Sequence, residues 1–177
     1  MKQRPLWPYY VGLAIGFALL KAVYVHTTST DLLILLAPTN YLVEIALGSA
    51  SVFDAAAGFM HPDLHISIDK SCSGYNFWLL CWLLLSATAV QQRLYPRLLM
   101  PMLVLMPFVS YVLTLLVNTS RILTAVFLRG LLPPAIQQFS WLHQAEGALL
   151  YLFFLVLIYL GFISSCSYFQ ARHAHAA

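Results

Sequence analysis

The chain has 177 residues, 61% of them hydrophobic and 8% charged, with a formal net charge of +3 and a mean hydropathy of +0.80. Soluble domains carry about a quarter of their residues charged, so a soluble enzyme is excluded, and the basic residues are too scattered for a nucleic-acid surface. A crossing takes about 20 apolar residues, which leaves room for one compact membrane bundle, residues 1–177, and no soluble domain beside it.

The chain opens with Lys2 and Arg4 and then an apolar run to Val25. The run is longer than a secretory signal core, and no small-x-small cleavage site follows Val23. Residues 5–26 are therefore expected to form an uncleaved first span, with Lys21 snorkelling toward the headgroups. Residues 32–53 are not an ordinary crossing. Pro38 removes a backbone donor and disfavours helix through Ala37, and Glu44 at the bilayer centre would be costly. The segment is expected to be re-entrant, lining a polar cavity, or to lie in the interface plane.

Residues 54–71 read as an outer loop, in which His65-Ile66-Ser67-Ile68-Asp69 alternates as a strand of a short hairpin does. Spans follow at residues 73–91, 98–118 and 143–165, with a basic turn from Gln91 to Arg97 and a second outer loop at 129–142. The fold class expected is an all-α polytopic membrane protein: a compact bundle of about four transmembrane helices with a re-entrant or interfacial helical segment and an outer-loop hairpin. Cys72, Cys81 and Cys166 have neither metal-pair spacing nor an even count, so no disulfide framework is implied.

Orientation follows from charge. Lys2, Arg4, Arg93, Arg97 and Arg172 fall on one side of these spans, which the positive-inside rule assigns to the cytoplasm. Asp31, Asp54, Asp63, Asp69 and Glu146 then lie outside, and residues 32–53 enter and leave on that outer side. At 1.5 Å per residue, about 20 residues counted outward from Gln91, Arg97 and Ser164 arrive at Cys72, at Asn118 to Arg121, and at His143. Thiol, guanidinium and imidazole share one level.

That level suits covalent chemistry. Cys72 is placed at a helix N-terminus with Lys70 two residues away, surroundings that favour a thiolate. A nearby imidazole can take the thiol proton and return it to a leaving amine. An arginine can hold an oxyanion or a substrate carboxylate. The plainer alternatives are a small apolar filler for Cys72, a snorkelling end-of-span residue for Arg121 and an interfacial helix cap for His143. Depth alone does not make these helices neighbours.

Cys72-Ser73-Gly74, then Asn118-x-x-Arg121, then His143-x-x-x-Gly147, each at the outer end of an apolar helix, resemble the exosortase/archaeosortase family, and most of all its short exosortase K type. The resemblance runs from residue 31 to residue 165. It implies a transpeptidase of the prokaryotic inner membrane, multi-pass, with its active site on the extracytoplasmic side and no cofactor or metal. Its partners would be exported proteins with a C-terminal signal of short motif, transmembrane helix and basic tail, an amine, glycan or lipid acceptor, and the lipid bilayer, with no nucleic acid. Cys72 would be the nucleophile, His143 the general acid/base and Arg121 the substrate or oxyanion stabiliser. Ser73 and Gly74 would lend N–H groups to the oxyanion, and Gly147 would belong to the cleft. Asn118 would orient Arg121 or cap a helix. Tyr75, Asn76 and Phe77 would wall the cleft or form an interfacial aromatic belt, and Glu44 and Asn40 would line the cavity. The chain departs from the family pattern in Ser71, where alanine is usual, and in lacking the additional helices of longer members.

Two other classes compete. His61, Asp63, His65 and Asp69 are competent ligands for a metal or haem, although Pro62 interrupts any helix aligning His61 with His65. A non-catalytic scaffold or small transporter also suits an intramembrane Glu44.

Overall fold

The computed structural model describes residues 5–92, 96–133 and 140–174, with side chains at all of these except 96–98, 140–143 and 169–174. Helices α1 (Trp7–His26) and α2 (Leu33–Leu47) lead into strands β1 (Val52–Asp54), β2 (Gly58–His61) and β3 (Ile66–Ile68). A 3-10 turn, Lys70–Cys72, then opens onto α3 (Tyr75–Gln91), α4 (Pro96–Leu131) and α5 (Ser140–Ala174). Among the described residues four stretches are long and apolar enough to span a bilayer: Trp7–His26, Lys70–Gln91, Leu99–Leu131 and Gln144–Tyr168. The chain is thus an all-α multi-pass membrane protein carrying one small sheet.

Helix α3 is the hub, mostly buried within the protein, whereas α1 and α5 turn almost wholly outward. Helices α1, α4 and α5 pack on α3, and α2 packs on α4. Lipid tails are as apolar as leucine, so the outward faces carry Ile15, Leu19 and Val23 on α1 and Leu149, Leu152 and Val156 on α5. Inside, small polar residues allow close approach: Ser86 and Thr88 on α3, Ser110 and Thr114 on α4. The Thr88 and Thr114 hydroxyls donate to the carbonyls of Leu84 and Ser110, one turn back in their own helices, which satisfies them without water. Two apolar clusters result. Leu32, Leu35, Leu36 and Val43 meet Ile68, Tyr75, Leu79 and Ile122, while Phe77, Cys81 and Leu85 meet Met106 and Val117.

Pro38 does not break α2, contrary to expectation; the helix runs through it. A proline leaves the carbonyl four residues back without its donor, here that of Ile34. The Tyr111 hydroxyl of α4 supplies one at 2.6 Å, the kind of repair from a neighbouring helix that makes proline tolerable in a membrane. At 15 residues, or about 22 Å, α2 is too short to cross. Ile34, Tyr41 and Ile45 are exposed while Leu36, Thr39, Asn40 and Val43 are buried. Both flanks of α2 return to the sheet end of the bundle: the Thr27 carbonyl accepts from Lys70, and Ser51 leads into β1.

Two boundaries also differ. The outer-loop hairpin is a three-stranded antiparallel meander in the order β1-β2-β3, because Val52–Asp54, read as the end of the apolar segment, pairs with β2 through Val52↔Met60 and Asp54↔Gly58. The strand expected within 65–69 is β3, in register His61↔Ile66. The span expected to end at residue 118 continues to Leu131. Polarity at Asn118 to Arg121 ends the apolar run and not the helix, since Ser120 and Thr124 donate to the carbonyls of Leu116 and Ser120 one turn back. Helix α4, 36 residues and about 54 Å long, outreaches a hydrocarbon core of about 30 Å, and Arg129 near its end donates to the His65 carbonyl beside the sheet. Of the expected loop 129–142, residues 134–139 lie outside the described residues.

Candidate active site

Cys72 closes the 3-10 turn in front of α3 and is half-buried. Asp69 caps the turn, accepting from the Ser71 N–H at 2.9 Å and the Ser71 hydroxyl at 2.6 Å. The Cys72 N–H donates to the Asp69 carbonyl. Ser71 Oγ, its proton directed at Asp69, lies 3.8 Å from Cys72 Sγ, so this serine touches the thiol. Two neighbours of the thiol have their donors engaged. The Lys70 ammonium donates to the Thr27 and Val25 carbonyls, which the C-terminal end of α1 leaves open. The Ser73 N–H is committed to the Lys70 carbonyl at 3.2 Å, which removes it from any oxyanion site.

The other members come from α4 and α5. Asn118, fully buried, donates from Nδ2 to the Cys72 carbonyl at 2.6 Å. Its Oδ1 accepts from the Tyr151 hydroxyl at 2.6 Å, and that hydroxyl accepts from Arg121 Nη1 at 3.3 Å. With Nδ2 on a carbonyl and Oδ1 on a hydroxyl proton, the amide has one consistent orientation. A directional chain therefore runs from the Arg121 guanidinium through Tyr151 and Asn118 to the backbone of Cys72. Of the two roles open to Asn118, orienting Arg121 or capping a helix, its contacts favour the first, through the Tyr151 hydroxyl and not directly. The Arg121 guanidinium carbon also lies 5.1 Å from the Tyr151 ring centroid, a cation–π distance, and the Phe77 ring packs against the same ring with centroids 4.9 Å apart.

Two glycines make the junction possible. Gly74 has φ +72°, and a Cβ there would stand 3.0 Å from Asn118 Cγ and Thr114 Cγ2; no side chain fits where the start of α3 presses on α4. At Gly147 a Cβ would stand 2.5 Å from Arg121 Nε and 3.1 Å from its Cζ, so the guanidinium lies flat on bare α5 backbone. Arg121 Nε is buried and has no hydrogen-bond partner among the described residues. A buried polar group left so invites a functional explanation.

The third predicted catalytic residue, His143, lies within α5, but its side chain is outside the described residues. By register it belongs to the stripe His143–Gly147–Tyr151, repeating every four residues on one face, and the lower two members of that stripe meet Arg121 and Asn118. Tyr151 is the member the sequence reading missed. Its signal was the same period, a hydroxyl-tipped aromatic one turn past Gly147.

Other predicted cleft residues go elsewhere. Asn76 is exposed and accepts from Lys21 of α1 at 2.5 Å, so Lys21 is tied to α3 and not extended to headgroups. Tyr75 stacks on Tyr24 at 4.6 Å and donates to the Leu20 carbonyl. Tyr75 and Phe77 are buried, Phe77 against the Tyr151 ring of the junction. Glu44 and Asn40 join a separate cluster: Glu44 accepts from the Ser51 N–H and hydroxyl, and Asn40 bonds Ser51 and His61. Both ring nitrogens of His61 are engaged, by Ser49 and Asn40, and no group of three or more His, Cys, Asp or Glu able to hold a metal occurs among the described residues. No family model, no curated protein and no solved structure matches the chain, so the site is read from its own geometry.

Proposed function

We propose that this protein is a membrane-embedded cysteine transpeptidase that cleaves the C-terminal sorting signal of exported proteins at the sheet end of the bundle, the extracytoplasmic side of a prokaryotic inner membrane. The observation that carries this reading is the hydrogen-bonded chain Arg121–Tyr151–Asn118–Cys72 carbonyl, which draws two of the three predicted catalytic residues into one junction of three helices. Among the described residues the guanidinium meets a tyrosine hydroxyl and keeps a buried, unpartnered Nε, a donor that a substrate oxygen can take up.

In the mechanism, Cys72 Sγ attacks the scissile carbonyl carbon while the thiol proton passes to His143. The oxyanion is held by Arg121 and the Gly74 N–H, fixed donors in a water-poor site. The C–N bond breaks, the leaving amine takes the proton from His143, and a thioester remains on Cys72. An acceptor amine or water then attacks the thioester carbon, gives its proton to His143, and the thiolate departs and is reprotonated. Tyr151 is a positioning residue in this scheme, setting Arg121 and, through Asn118, the Cys72 peptide plane.

The test compares exported proteins in cells carrying the wild-type chain with those carrying Cys72→Ala. Retention of C-terminal helix and basic-tail peptides on a defined set of exported proteins in the Cys72→Ala cells supports the reading. Identical C-termini in the two strains would overturn it.

A further inference from the structure

The second polar cluster, between α2 and the sheet, has a proton count that its geometry fixes. Glu44 Oε1 meets Ser51 Oγ at 2.6 Å, Ser51 Oγ meets Asn40 Nδ2 at 2.8 Å, and Asn40 Oδ1 meets His61 Nε2 at 2.9 Å. His61 Nδ1 then meets Ser49 Oγ at 2.8 Å, which meets Asp63 Oδ1 at 2.6 Å. These are five contacts in a row, and each needs one proton. Two serine hydroxyls bring one each, Asn40 can serve only its nitrogen side, and a neutral imidazole brings one. The total is four, so one contact is left without a proton. Turning the Asn40 amide moves the deficit to the Glu44 end and does not remove it. All five contacts are direct, 2.6 to 2.9 Å, so no water stands between the partners to make up the shortfall.

We infer that the cluster holds a fifth proton, carried on the His61 ring between the Glu44 and Asp63 carboxylates, and that it works as a proton-dependent clasp joining α2 to the sheet. The imidazolium donates from both nitrogens, to Asn40 and to Ser49, freeing both serine protons for the two carboxylates. The charged groups around it fit this state. Glu44 faces it from α2 and Asp63 from the β2–β3 turn, whose carboxyl the Ser49 hydroxyl holds below the ordinary aspartate range. Asp54 of β1 is occupied by the N–H groups of Ala56 and Ala57, and β3 itself adds no charge. On α4, Arg129 reaches the His65 carbonyl and Arg121 turns to Tyr151. No cation opposes the ring's charge in these contacts.

The clasp has a defined pH response. Folding takes up the ring proton, so stability falls as pH rises and the proton leaves. On the acid side, the depressed Asp63 contributes stability that is lost as pH falls through its folded value. The clasp is strongest between these limits. It matters to Cys72 because β2, which carries His61, pairs with β3, and the 3-10 turn of Cys72 follows directly.

The experiment uses the full chain in nanodiscs with ¹⁵N-labelled histidine, His61 being assigned by its absence in His61→Gln. Near neutral pH the wild-type His61 is expected to show both ring nitrogens protonated, and the unfolding midpoint to decline on the alkaline side. Asp63→Asn supplies the missing donor from its amide and stands at an exposed position, so it keeps the fold. With it the ring is expected to become neutral and the alkaline decline to disappear. A neutral His61 in the wild type, or an alkaline decline unchanged in Asp63→Asn, overturns the inference. Neither result bears on whether Cys72 is a nucleophile, so this proposal and the transpeptidase reading fail separately.

Discussion

Two buried polar clusters lie at the sheet end of this bundle, and they are finished to different degrees. Around His61 the side chains follow one another in a chain of short direct contacts, and the residues come from adjacent pieces of sequence, α2 to the β2–β3 turn. Around Arg121 the residues come from three distant helices, and among the described residues the guanidinium bonds a tyrosine hydroxyl while Nε is left open. Closure of a buried network rigidifies a fold. A gap in one is where a substrate group can enter. The histidine-bearing loop thus closes on itself through hydrogen bonds, while a single arginine on an apolar helix keeps an open Nε among the described residues.

The largest effects that can break this contrast lie in the open cluster. Cys72→Ala is expected to lower processing by about a thousandfold or more, and Arg121→Gln by about a hundredfold, the loss typical of an oxyanion donor; both are read as turnover of a purified exported substrate. Gly147→Ala places a methyl where Arg121 Nε now rests and is expected to cost about tenfold or more in turnover with the unfolding midpoint nearly unchanged. Tyr151→Phe keeps the ring on Arg121 but loses both hydroxyl contacts, an expected loss of about tenfold, equal to about 1.4 kcal/mol, in kcat more than in KM.

The closed cluster sharpens the contrast from the other side. Ser49→Ala strands His61 Nδ1 and Asp63 and is expected to cost about 1–3 kcal/mol of stability while turnover per folded molecule stays unchanged. The smallest effect is expected at Lys21→Ala, which removes an exposed pair with Asn76 worth less than about 1 kcal/mol. An activity loss at Ser49→Ala as deep as that at Arg121→Gln would erase the distinction between the clusters.

Hydropathy alone carried the four spans, because bilayer thickness ties residue count to position; that residues 32–53 do not cross was read from Pro38 and Glu44, and α2 is indeed too short to do so. Hydropathy could not show that the Asn118–Arg121 stretch is mid-helix, since hydroxyls bonding back to their own carbonyls hide polarity inside a helix. Pro38 misled for a related reason: its orphaned carbonyl at Ile34 is met by Tyr111, 77 residues away in sequence. Lys70 and Ser73 lay close to the thiol in sequence, yet their donors go to α1 and to the turn itself. Tyr151 had the right period but no chemistry of its own to announce it; only the position of Asn118 gives its hydroxyl a purpose.

The most direct measurement is capture of the covalent intermediate: wild-type protein mixed with an exported substrate, quenched in acid and digested, with the Cys72 peptide followed by mass spectrometry. A nucleophilic Cys72 predicts a hydroxylamine-sensitive acyl adduct on that peptide, more abundant when His143→Ala slows its resolution and absent from buried Cys81. Continued processing with Cys72 unmodified at every time point would contradict it.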